Sequence, residues 1–60
     1  MESVKFKVMR MATMATKIKK AMDFIAENNQ IETVVQIQGP TISDNEAEEE
    51  YMVSFIPFSE

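Results

Sequence analysis

A single helical stretch set among alternating ones is the feature that most limits how this chain can fold. Val4, Phe6 and Val8 alternate with Lys5, Lys7 and Met9, the two-residue period of a half-exposed strand spanning about 3–11. From Thr13 the period lengthens. Met14, Ile18, Ala21, Met22 and Ile25 then stand at i, i+4, i+7, i+8 and i+11, one stripe of a helix over about 13–28 with Lys19, Asp23 and Glu27 on its outer side. Thr13 suits the N-cap, and Asn28-Asn29 suit the left-handed conformation that closes a helix.

Alternation returns at Ile31, where Ile31, Thr33, Val35 and Ile37 face one way and Glu32, Val34, Gln36 and Gln38 the other, a strand over about 31–38. Gly39-Pro40 is expected to end it, because Pro40 lacks a ladder donor and Gly39 permits a tight bend. An acidic loop over 41–50 follows. A last strand over about 51–58 alternates Tyr51, Val53 and Phe55 with Met52, Ser54, Ile56 and Phe58, and Pro57 points to an edge position near its end. The order is β-α-β-β in a single small α+β domain: a three-stranded sheet with one helix packed on one face. A right-handed crossover lays the first two strands parallel, and the last two form a hairpin. The expected core is Val4, Phe6, Val8, Met14, Ile18, Met22, Ile25, Ile31, Val35, Ile37, Val53 and Phe55.

One helix covers one face only. The other is expected to show Met9, Met11, Val34, Met52, Ile56 and Phe58 among Lys5, Lys7, Gln36, Gln38 and Ser54, too apolar for comfortable solvation and too polar for a sealed core. A chain of sixty residues hides only about 60% of its unfolded surface, so self-association is a natural remedy. Burial of this face in a homo-oligomer follows, with an isologous dimer as its unit.

Composition narrows the chemistry. The absence of Cys and His excludes disulfides and His/Cys metal sites and removes the usual bases and nucleophiles, so no enzyme, cofactor or metal centre is expected. No apolar run is long enough for a secretory signal or a membrane span, and a cytoplasmic location fits the lack of Cys. The net charge of −4 conceals a division. All six basic residues lie in the first twenty positions against Glu2 alone, a balance of +5, and the remaining forty residues carry nine acidic groups and no basic one. That −9 segment repels a polyanion, and no nucleic-acid reader motif occurs, so nucleic acid is not an expected partner.

The junction from Met9 to Lys17 is the candidate ligand site. A helix N-terminus offers free N–H groups and partial positive charge, and here Arg10, Thr13, Thr16 and Lys17 surround it, with Lys5 and Lys7 adding to the field. Such a set suits a phosphate, although ordinary capping by Thr13 accounts for it as well. Asp44, Glu46, Glu48, Glu49 and Glu50 form a second cluster, suited to a hard cation or to mimicry of a phosphate backbone, or simply to a solvated loop; the calcium-loop pattern is missing.

The layout from Val4-Lys5-Phe6 through Phe24-Ile25 and Ile31–Ile37 to Tyr51–Ile56 resembles very small β-α-β-β proteins of Gram-positive bacteria and their phages. It is similar to a family of small acidic sporulation proteins, a resemblance that implies no known activity. By analogy of size and lack of catalytic residues it also resembles phage counter-defence proteins that sequester cyclic-nucleotide signals between subunits. The resulting expectation is a non-enzymatic homo-oligomer that sequesters a small anionic ligand such as a nucleotide signal. The alternative is a protein-protein inhibitor or adaptor that meets a host protein through its acidic loop or its apolar sheet face.

Overall fold

The computed structural model describes residues 1–58 and contains four elements: β1 (Glu2–Met9), α1 (Met14–Glu27), β2 (Ile31–Ile42) and β3 (Glu48–Pro57). They form the β-α-β-β, α+β arrangement with one three-stranded sheet in the order β1-β3-β2. Both outer strands are antiparallel to β3 and therefore parallel to each other, with β3 inserted between them. Pro57 thus ends the central strand instead of lying on an edge strand. It is tolerated because β1 reaches only as far as Phe55, so the last residues of β3 have β2 alone as a neighbour.

Helix α1 starts at the Thr13 N-cap, whose side chain accepts the Thr16 N–H. Its end differs from the left-handed closure expected for Asn28-Asn29. Asn28 is extended (φ −97°), its N–H donates to Ile25 O at 3.2 Å, and its side chain accepts the Gln30 N–H at 3.1 Å. Local bonding by the Asn side chain replaces the left-handed turn.

β2 runs through Gly39-Pro40 to Ile42, four residues past its expected end. The pair makes an irregularity in the strand: register with β3 shifts between Gln38 and Thr41, with φ +141° at Gly39 and a cis Gly39–Pro40 peptide. The hairpin is correspondingly shorter, since Glu48, Glu49 and Glu50 belong to β3 and only the segment 43–47 turns.

Cross-strand partners share a face. Val4 with Val53, Phe6 with Tyr51, Val34 with Phe55 and Ile37 with Val53 place those residues on the helix side. Val34 was expected opposite. Register shifts on either side of it break the simple alternation of β2.

The buried apolar side chains are Phe6, Val8, Ile31, Val53 and Phe55, with Val4, Ala21, Phe24, Ile25 and Tyr51 packed against them. Five expected core residues are instead exposed: Met14, Ile18, Met22, Val35 and Ile37. The cause is where the helix lands. Phe24 sets its ring 5.1 Å from Phe6 of β1, and small Ala21 lets the backbone approach, so α1 leans on β1 and leaves the β2 half of the sheet bare.

Gly39 is required by both conformation and space. A Cβ there would lie 2.7 Å from the Tyr51 ring and 2.8 Å from Glu50 O, on a backbone that L-residues avoid. Gly39→Ala should therefore lower stability by about 1–3 kcal/mol, read as a lower urea midpoint. An unchanged midpoint would show that β2 relaxes around the bulge.

Candidate functional site

The junction between β1 and α1 is built by hydrogen bonds to the start of β3. The Arg10 N–H donates to Ala47 O at 2.9 Å and its guanidinium to Glu48 O at 3.1 Å, while Ala12 N–H closes a turn on Met9 O at 3.1 Å. Thr13 Oγ1 accepts the Thr16 N–H at 3.2 Å and donates to Thr16 Oγ1 at 3.0 Å. The Lys17 N–H then donates to Thr13 O at 3.0 Å, the first helical bond. Arg10, Thr13, Thr16 and Lys17 are thus gathered at one helix start. Two are already engaged: Arg10 holds a strand carbonyl, and the Lys17 ammonium lies 2.6 Å from Glu49 Oε1.

Lys5 and Lys7 belong elsewhere. They project from the sheet face opposite the helix, where Lys5 Nζ is 3.8 Å from Glu50 Oε1 and Lys7 is the cross-strand neighbour of Glu50. A cationic depression does occur beside the β1 edge, but with a different membership. Lys7, Thr16 and Lys20 line this space of about 280 Å³, with Met9 and Ala12 in its wall and Glu48 at its rim. Lys20 was noted in the sequence only as part of the charged outer side.

The acidic residues do not form one cluster. Strand alternation sends Glu49 to the helix side and Glu48 and Glu50 to the other, and Asp44 and Glu46 stay exposed at the turn. Glu60 lies outside the described residues. The turn is ordered by its own polar groups: Ser43 Oγ accepts the Asn45 N–H at 3.2 Å and Asn45 Oδ1 accepts the Ala47 N–H at 2.9 Å. No group of three or more potential metal ligands occurs among the described residues.

Glu49 is the one buried charged residue, and it is fully partnered. The Lys17 ammonium holds its carboxyl below the usual value of 4.5, burial opposes that effect, and the Tyr51 hydroxyl, donating at 3.2 Å, reinforces it. Tyr51 is pushed above 10, first by burial and then by its bond to Glu49. Its ring lies 5.5 Å from Phe6, so it is a packing residue with a polar tip and is not free to stack on a ligand.

The six expected interface residues are dispersed. Met9, Met52 and Ile56 lie on the face away from the helix, among Lys5, Lys7, Ser54 and Thr33. Met11 is exposed in the turn before α1, Phe58 follows β3, and Val34 is on the helix side. The larger apolar exposure is on that helix side. Met14, Ile18 and Met22 are 68%, 54% and 64% exposed, and with Phe6, Ile25 and Ile37 they line a groove of about 300 Å³ between α1 and β2. A wide apolar arc on α1 was the available signal. From Phe24 round through Ile25, Met14, Ile18 and Met22 to Ala26 it covers about 200° at 100° per residue, against the roughly 100° of an ordinary surface helix.

Comparison of this chain with known protein families, curated proteins and solved structures finds no match. No helix among the described residues is long and apolar enough to cross a membrane.

The Lys17–Glu49 pair has a definite pH signature. Because the folded-state carboxyl titrates below its unfolded value, the stabilisation is complete above the ordinary carboxylate pKa and is lost as pH falls through the lowered one. Glu49→Gln should flatten the acid limb of the stability-pH curve below about pH 4.5. Lys17→Met should move the Glu49 carboxyl titration upward, since burial then acts with less opposition; carboxyl chemical shifts report it, and an unmoved titration would deny the pairing in solution.

Proposed function

We propose that the protein is a non-enzymatic homo-oligomer that acts by binding. The observation carrying this reading is the uncovered groove between α1 and β2, where Met14, Ile18 and Met22 stand in water beside Ile37 and Val34. A monomer this small gains little by leaving three large helical side chains exposed on one side. Met is over-used on adaptable recognition surfaces, and the groove has Met at both ends of its exposed helical row. Neither His nor Cys is present, and the engaged states of Arg10, Lys17 and Glu49 leave no nucleophile-base pair among the described residues, which favours binding over turnover.

The test is molar mass against concentration by light scattering. The unmodified protein should weigh a multiple of its 6.9 kDa chain at micromolar concentrations, and Ile18→Glu should reduce it to a single chain while circular dichroism stays that of the folded protein. A single-chain mass for the unmodified protein throughout would overturn the reading.

A second reading concerns what the oligomer holds. The Lys7, Thr16 and Lys20 depression supports a small anionic ligand, such as a cyclic nucleotide, more directly than Arg10 and Lys17 do, because neither Lys7 nor Lys20 has an ion-pair partner within 4.0 Å among the described residues. Calorimetry with cyclic di- and trinucleotides should give heat with the unmodified protein and a loss of at least tenfold in affinity for the Lys7→Ala, Lys20→Ala double variant. Absence of heat with every member would favour the alternative of a protein partner at the groove.

A further inference from the structure

Helix α1 is charged against its own dipole. Its first turn has no acidic residue and its last turn no basic one; Lys17, Lys19 and Lys20 fill the first half, and Asp23 and Glu27 the second. An isolated helix prefers the reverse order, because its N-terminus is the positive end. Within the chain only part of this is offset: Lys17 is neutralised by Glu49 and Lys19 by Asp23 at 2.8 Å, and the helix has no neighbouring helix to complement it.

We propose that two copies pair their α1 helices antiparallel across a two-fold axis, Ile18 and Met22 of each copy meeting at the centre and Met14 packing toward the far end of the partner helix. The proposal rests on the homo-oligomer reading above and names the occupant of that same face. Antiparallel pairing sets the basic first half of each helix beside the acidic second half of the other and opposes the two dipoles, correcting a charge order that the monomer leaves uncorrected. Parallel pairing would set like charges together. The row Met14, Ile18, Met22 follows i, i+4, i+8, the ridge that interlocks with an identical ridge in the commonest class of helix packing. A two-fold requires a self-complementary surface, and this one is apolar at its centre, with Lys17 already paired at its border. A partner of strong net charge would find nothing on the row to select it.

The absence of Cys makes a direct test available. Ile18→Cys and Ile56→Cys each introduce a single thiol at an exposed position, one on the helix row and one on the opposite sheet face. With a short thiol-to-thiol cross-linker, Ile18→Cys should be trapped as a covalent dimer in at least tenfold greater yield than Ile56→Cys. Comparable or greater yield for Ile56→Cys, in a protein whose unmodified form is oligomeric, would overturn the helix pairing and leave the homo-oligomer reading standing. A unmodified protein that stays a single chain would end both. Parallel and antiparallel arrangements separate through Met14→Cys mixed with Ala26→Cys: antiparallel helices cross-link the mixture in preference to either variant alone, and the opposite preference would overturn the orientation.

Discussion

The contact of Phe24 with Phe6 governs what the rest of the molecule can do. Three strands offer one helix a choice of where to settle, and the 5.1 Å approach of these two rings fixes α1 above β1. Tyr51 stacks on the far side of Phe6 and brings its hydroxyl to Glu49, which in turn receives Lys17 from the first turns of the helix. An aromatic cluster and an ion pair thereby anchor the same helix to the β1-β3 half of the sheet. The β2 half has no such anchor, and the exposure of Ile37, Met22 and Ile18 follows from that asymmetry.

The elements were legible because their periods differ so sharply. Alternation in β1 and β3 and the four-residue spacing in α1 are local properties, and local rules placed them. What escaped was set by partners distant in sequence. Gly39-Pro40 carries every local sign of a strand end, yet pairing with Glu50 and Glu49 draws Thr41 and Ile42 into the ladder. Val34 and Val35 lie between register shifts, so counting by twos assigned Val34 to the wrong side and Val35 to the core. The helical stripe gave the right face in outline but not its rotation, because Phe24 lies at the margin of that stripe and became its anchor.

The candidate sites show the same division. Thr13 and Thr16 were readable as a cap because a cap is local. Engagement of Arg10 by Glu48 and of Lys17 by Glu49 depends on β3 folding back beside the junction, more than thirty residues downstream. Those contacts turn two apparent phosphate ligands into structural braces and leave Lys7 and Lys20 as the cations facing an open depression. The +5 opening segment and the −9 remainder are likewise joined through these braces, so the charge division works partly as internal glue.

The account's central claim is that the apolar surface α1 leaves bare is covered by another copy of the chain. Methyl spectra of the unmodified protein across a dilution series test it most directly. Met14, Ile18, Met22 and Ile37 should shift together with a single concentration midpoint while Met52 and Ile56 stay fixed. Fixed signals at all four helix-side positions, or shifts confined to Met52 and Ile56, would contradict it.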